Sequence, residues 1–305
     1  DGDIFLHDRT TGKGIRKINR KGQGGEEYTQ ITQIVLDEEQ NEMFIVDYPG
    51  QKIKVYNLQG KYLRDFSFDE NCYYTFVYAY DNQHLIVYKE YYDQPEKSCH
   101  ALISKQDGKT IREIILPYKE LENIRYKGMH EKYGEIVAVP AHYLTIPAKK
   151  EWYLASVSSD TISRLLPDGN KQPYMVRTPS IHNMNPEVFL FPKMMTEQYD
   201  FLVTIKKKMK DNFSFPSVDL IYDKKDKSIY TYVIRNADFE GSNVALWESS
   251  LNSEIASYRT FHAHELVEAY EEGKLKGKLK EIASTLDEED NGVVMLLKRK
   301  GNGQN

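Results

Sequence analysis

A five-residue signature returns in this chain at a constant interval, and that interval limits the fold more than any composition does. Gly12-Lys13-Gly14-Ile15-Arg16 recurs as Gly60-Lys61-Tyr62-Leu63-Arg64 and as Gly108-Lys109-Thr110-Ile111-Arg112, 48 residues apart each time. An apolar residue follows each arginine by two places: Ile18, Phe66 and Ile114. A period of this length marks stacked supersecondary units rather than one continuous core. A strand-like run precedes each Gly-Lys, namely Ile4-Phe5-Leu6, Ile53-Lys54-Val55-Tyr56 and Ala101-Leu102-Ile103, and another follows it. The glycine fits a hairpin turn of positive φ, which other residues resist.

Two more strands precede each complete hairpin. They are Ile31 to Leu36 and Glu42 to Asp47 in the second unit, and Tyr73 to Tyr80 and His84 to Tyr88 in the third. Four short strands in about 45 to 50 residues is a β-propeller blade. A fourth unit fits Tyr143 to Met175 and a fifth fits Val188 to Ile234. A sixth starts near Val244-Ala245-Leu246-Trp247 and ends with Val293 to Leu297. The expected fold is therefore all-β: a six-bladed β-propeller of four-stranded antiparallel blades, one domain over 1–305, its first blade incomplete at the N-terminus. A helical insertion is expected at about 263–290. Leu275, Leu279, Ile282, Ala283 and Leu286 share one helical face, and His264 to Tyr270 forms a preceding helix ended at Gly273.

Charge excludes a dedicated nucleic-acid binder: 41 basic residues stand against 46 acidic, a net charge of −5. Two cysteines, Cys72 and Cys99, exclude a disulfide scaffold and a Cys₄ zinc site. The longest apolar runs, such as Val293 to Leu297, are too short for a transmembrane helix.

The loop Lys21-Gly22-Gln23-Gly24-Gly25-Glu26-Glu27-Tyr28 resembles the K-G-Q-G-P-G-E-Y loop of six-bladed propeller proteins of Bacteroidetes, which are related to NHL-repeat propellers. Ile45-Val46-Asp47, Ile53 to Tyr56, Glu265 to Tyr270 and Gly273 to Leu279 are similar to the same family. The loop departs from the pattern at Gly25 and Glu26, where the family has Pro and Gly. The resemblance implies an exported protein, often a lipoprotein of the periplasm or outer membrane, with its lipid-attachment cysteine upstream of Asp1.

No catalytic constellation is present: neither a G-x-S-x-G elbow nor an HExxH pattern occurs. The Gly22 to Gly25 loop lacks the ending of a P-loop and precedes a strand, so it reads as an inter-blade connection. Such connections line one mouth of the ring, which makes Lys21, Gln23, Glu27 and Tyr28 the candidate ligand contacts. His262 and His264 are two apart and are the candidate metal ligands, although no third ligand is identifiable; His130 and His142 fall in irregular segments. Lys206-Lys207-Lys208-Met209-Lys210 reads as a charged loop. Tyr73, Tyr74, Tyr91, Tyr92 and Trp152 would stack on sugars where exposed and otherwise pack blades. The expected function is envelope binding of a glycan, peptide or protein at one mouth, with membrane attachment only through an upstream lipid anchor. Two alternatives stand beside it: a hydrolase or lyase assisted by calcium in the central channel, and a scaffold subunit docking a partner through the C-terminal helices.

Overall fold

The computed structural model describes residues 2–8, 11–149, 151–244, 246 and 254–298. Ala245 and Trp247, read above as part of a sixth unit, lie outside the described residues. The chain forms two compact units, Asp1–Leu116 and Pro117–Asn305.

In the first unit, β1 (Asp3–His7) and β2 (Gly14–Asn19) form a hairpin. Next comes a four-stranded antiparallel sheet in chain order: β3 (Gln33–Asp37), β4 (Glu42–Asp47), β5 (Lys52–Asn57) and β6 (Tyr62–Ser67). A second follows the same plan: β7 (Cys72–Ala79), β8 (His84–Tyr91), β9 (Cys99–Ser104) and β10 (Thr110–Ile114). A four-stranded meander of this kind is a propeller blade. The buried middle strands read as apolar runs, for example Met43 to Val46 and Leu85 to Val87, because both their faces are covered.

The recurring signature sits at the same place in all three copies, the outer hairpin. Gly12, Gly60 and Gly108 have φ of 71°, 85° and 72°. Each donates its N–H to the last residue of the strand before it or to the residue just beyond: Asp8, Asn57 and Ser104. The spacing also has an inter-blade meaning. A Cβ on Gly60 would lie 2.8 Å from Ile18, and one on Gly108 would lie 2.3 Å from Phe66. Gly60 and Gly108 are thus each seated on the buried apolar residue of the preceding outer strand. The signature arginine reinforces the seam. Arg16 donates to the Gln59 carbonyl, and Arg64 donates to the Lys105 carbonyl while holding Glu42 through both terminal nitrogens at 2.6 and 2.8 Å. Beneath it, buried Lys105 pairs with buried Asp37 and donates to the Asp81 carbonyl at 2.6 Å.

The inner strands are joined differently. The Gln33 amide donates to the Val77 carbonyl and accepts the Val77 N–H. Val77 is presented by a bulge between Thr75 and Tyr78, where Phe76 takes a φ of 50°. The sequence reads this stretch as an unbroken strand because all its residues suit one.

In the second unit, the hairpin β11 (Tyr126–His130) and β12 (Gly134–Ala138) comes first. Two four-stranded blades follow: β13 (Thr145–Pro147), β14 (Trp152–Leu154), β15 (Thr161–Leu165), β16 (Lys171–Val176), then β17 (Val188–Met195), β18 (Tyr199–Lys206), β19 (Ser217–Asp223), β20 (Ser228–Thr231). Short pairs close the described chain: β21 (Ile234–Arg235) with β22 (Asn243–Val244), and β23 (Ile255–Phe261) with β24 (Val293–Lys298). Helices α1 (Ala263–Glu271) and α2 (Gly277–Ala283) are inserted between β23 and β24.

The second helix is shorter than its apolar pattern implies. Gly277 starts it at a φ of 52°, outside right-handed helical space. Leu275 instead bridges to Phe239, and the Lys276 N–H goes to the Asp238 carbonyl. Leu275, Leu279 and Ala283 still share one core with Phe261, Leu266 and Ala269, and Leu286 packs against it. The apolar face of the insertion is therefore covered by its own hairpin.

The seam predicts a graded response to one substitution. Gly12→Ala meets nothing within 4 Å and carries only the cost of positive φ, about 1 kcal/mol. Gly60→Ala and Gly108→Ala add overpacking against Ile18 and Phe66, a further ~1–3 kcal/mol. Urea unfolding should rank the losses Gly12 below Gly60 below Gly108, and equal losses would contradict the seam.

Candidate functional site

Strand directions alternate, so the β2–β3, β4–β5, β6–β7 and β8–β9 connections of the first unit emerge at one end of its sheets. The β2–β3 connection is the glycine-rich loop. Lys21 bridges to Tyr28, the Gly22 N–H donates to the Tyr28 carbonyl at 3.0 Å, and the Glu27 N–H donates to the Gly24 carbonyl at 3.0 Å. The Glu27 carboxylate turns back into the loop and accepts the Gly24 N–H at 2.9 Å. Gly22 makes room for it, since a Cβ there would lie 1.9 Å from Glu27 Oε2.

The loop is pinned from below. Tyr28 is fully buried, with its ring edge-on to Tyr56 and its hydroxyl between the Gly2 carbonyl and the Arg20 N–H. The Tyr56 hydroxyl donates to the Glu26 carbonyl at 2.6 Å, and Lys54 donates to the Gly25 carbonyl at 2.7 Å. Of the four candidate contacts, Lys21 and Gln23 point to solvent, Glu27 holds the loop, and Tyr28 is a core residue with no surface to offer.

The loop's exit is tied to the next turn. Buried Asp47 accepts the Thr29 N–H and hydroxyl at 2.8 and 2.5 Å, and the Gln30 and Gly50 N–H groups at 3.2 and 3.3 Å. This fixes Tyr48, the next residue. The Tyr48 ring stacks on Tyr73 at 4.7 Å with 5° between planes, and Tyr73 meets Tyr92 at 5.5 Å. Tyr92 is 51% exposed, and its hydroxyl donates to Asn71 at 2.8 Å. Exposed Glu70, Asn71, Glu90 and Asp93 flank the three rings. Burial, then the neighbouring Glu90, pushes the Tyr48 hydroxyl above its ordinary range, so this ring stays neutral. Tyr73 and Tyr92 were legible as stacking candidates, whereas Tyr74 is fully buried and Tyr91 half-buried. Tyr48 was missed; its signal is a Tyr-Pro-Gly turn directly after an apolar strand.

A polar network supports the ladder. Buried Lys89 donates to Asp69 and to Thr110 Oγ1, both at 2.6 Å, and lies 3.5 Å from Glu113. Asp69 also accepts from Tyr74 and Tyr91 at 2.8 and 3.3 Å. Burial raises the Asp69 carboxyl, but Lys89 and the tyrosine hydroxyls outweigh it and leave its pKa below the ordinary value. Cys72 and Cys99 are free and buried, and burial pushes their thiols up to about 12 and about 11. They sit on β7 and β9, on either side of β8, a strand separation of roughly 10 Å that no disulfide spans.

The remaining candidates lie in the second unit. His262 caps α1 and His264 is within it; both are exposed, with rings stacked 5.5 Å apart. Among the described residues, no group of three or more His, Cys, Asp or Glu is placed to hold a metal. His130 lies in a strand rather than an irregular segment, and its ring stacks on Phe213 at 4.9 Å. An open groove of about 500 Å³ is lined by Tyr174, Met175, Val176, Tyr222, Lys224 and Ile229. Its lysine is already committed to buried Asp200 at 2.8 Å and to the Thr196 carbonyl at 2.6 Å, and Tyr174 donates to Asp200 at 2.6 Å. Burial raises the Asp200 carboxyl pKa. The groove therefore offers apolar walls with its polar groups turned inward, and the tyrosine-lined end has the better-equipped surface.

Four-stranded antiparallel blades of this kind define a propeller-type protein. The chain belongs to the family described as domain of unknown function DUF4934, which matches residues 1–298. It is similar in structure to a Bacteroides fragilis protein described as a putative exported protein. That match has 15% identity, covers 98% of this chain and 85% of that one, and has a TM-score of 0.61. A member of the DUF4221 family from Bacteroides vulgatus matches at 11% identity over 74% of this chain and 73% of that one, with a TM-score of 0.49. No curated protein matches. Among the described residues no helix is long and apolar enough to cross a membrane.

The network beneath the ladder predicts an acid limit. Because its folded pKa is depressed, Asp69 adds stability above its unfolded pKa, and that contribution fades as pH falls through the folded value, below about pH 4. The thermal midpoint should drop on acidification past that point. Asp69→Asn should start lower and drop less, and an identical drop would remove Asp69 as the cause.

Proposed function

We propose that this chain is an exported binding protein of the cell envelope that holds a glycan against Tyr48, Tyr73 and Tyr92. One observation carries the reading: a row of three tyrosine rings at a loop-built end, Tyr48 on Tyr73 and Tyr73 on Tyr92, the outermost 51% exposed. Aromatic faces carry partial negative charge and attract the C–H faces of sugar rings. Asn71, Glu70 and Asp93 supply exposed acceptors for sugar hydroxyls, and Lys21 and Gln23 supply donors at the same end. The loops are pinned by buried tyrosines and Asp47, which lowers the ordering cost of binding.

Export is supported by the resemblance of the glycine-rich loop and by the Bacteroides fragilis neighbour. Six blades in a single domain over 1–305 belong to the same proposal. Four full blades are described, and the hairpins β1–β2 and β23–β24 supply strands for further ones.

Calorimetric titration with a panel of neutral oligosaccharides tests the binding reading. Tyr73→Ala and Tyr92→Ala should each weaken the best ligand by about tenfold, the scale of one aromatic contact. The thermal midpoint of Tyr92→Ala should stay near that of the parent. Full affinity in both variants would refute the ladder as the site.

A further inference from the structure

Strand alternation sorts the charges around the tyrosine row. On β7 and β8, Tyr73 is directly opposite Glu90, so these two side chains share one face of the sheet. Tyr92 continues that side, and its hydroxyl reaches Asn71 at 2.8 Å. Lys89 and Tyr91 alternate to the other face, where the Lys89 ammonium is spent on Asp69 at 2.6 Å. The side that bears the rings is left with carboxylates. Glu70, Glu90 and Asp93 are all exposed, and Glu70 and Asp93 enter no ion pair among the described residues. Their fields reach the rings. Burial, then Glu90, raises the pKa of the Tyr48 hydroxyl; loss of water, then Asp93, Tyr73 and Glu70, raises that of Tyr92. Of the other cations at this end, Lys52 and Lys54 hold Asp65 at 3.3 and 3.1 Å. Lys21 and Lys97 are exposed, the latter next to exposed Glu96.

Such a surface sorts sugars by charge. An acidic sugar is repelled and a neutral one gains nothing from the field. A protonated amine gains twice, from the carboxylates and from the electron-rich faces of the rings. We propose that the row holds a glycan of amino sugars whose amines are free rather than acetylated. An ammonium group rests on the exposed Tyr92 face, with Glu70 and Asp93 as its counter-charges. The rings supply the flat platform that a sugar chain needs, and the carboxylates choose its charge. This selection rests on the glycan reading and names the substrate class of the same site.

The test is calorimetric titration of the full chain with oligomers of equal length of glucosamine, N-acetylglucosamine and galacturonate. At about pH 5.5 surface carboxylates are ionised while the glucosamine amines carry protons. The glucosamine oligomer should bind about tenfold more tightly than the acetylated one, the combined scale of an exposed cation–π contact and an exposed ion pair. The galacturonate should bind weakest, and raising salt should shrink the preference. Glu70→Gln with Asp93→Asn keeps carbonyl oxygens as acceptors and removes both charges, so it should bring the glucosamine and N-acetylglucosamine affinities together. Tyr92→Ala should weaken both. Equal or tighter binding of the acetylated oligomer overturns the charge selection and leaves the row standing as a sugar site. An undiminished preference in the Gln/Asn variant overturns it in the same way. Glucosamine binding that survives Tyr92→Ala intact, or no binding by any oligomer, overturns the selection and the glycan reading together.

Discussion

Everything in the first unit depends on how closely one outer hairpin can approach the strand before it. Gly60 on Ile18 and Gly108 on Phe66 are contacts that a single methyl group would break. The arginine two places before each apolar residue then spans the seam to a backbone carbonyl. Turn geometry, close approach and polar strap are three demands met by one short segment, which explains why that segment repeats while the strands around it vary. The apolar residue contributes about 1.5–3 kcal/mol of burial on its own, and only if the next hairpin covers it.

The loops at the other end are held by their own contacts. There Asp47 gathers donors from Thr29, Gln30 and Gly50 at once, and Tyr48 faces Tyr73 across the blade boundary. Buried Lys89, bonded to Asp69 and Thr110, holds the underside of the same boundary. Positioning of the rings therefore rests both on bonds within the loops, gathered by Asp47, and on the Tyr48–Tyr73 stack across the boundary.

The blades were legible because strand apolarity, hairpin glycine and interval all agreed, and the fourth and fifth units were legible from strands alone. The hairpin β11–β12 was not, since Lys127 and Met129 alternate with Gly128 and His130, which gives neither face an apolar pattern, and much of it is exposed. The bulge at Phe76 was invisible because its residues favour a regular strand; only the Gln33 amide, distant in sequence, draws it out. At the site, Tyr73 and Tyr92 could be named but their partner Tyr48 could not, since stacking across a boundary leaves no local pattern. Tyr28 failed as a contact for a related reason: a tyrosine beside glycines looks accessible, and only the pairing with Tyr56 shows that it is core.

Gln33 and Val77 exchange two hydrogen bonds across the inner edge, whereas the outer edge is closed by a glycine seated on an apolar side chain. The two edges therefore respond to different solvents and temperatures. Apolar contact weakens on cooling, while an amide pair shielded from water does not follow the same course. Neighbouring blades fastened in both ways share a hinge line rather than a single joint, so thermal or chemical stress should open the boundary from one rim first instead of parting it all at once.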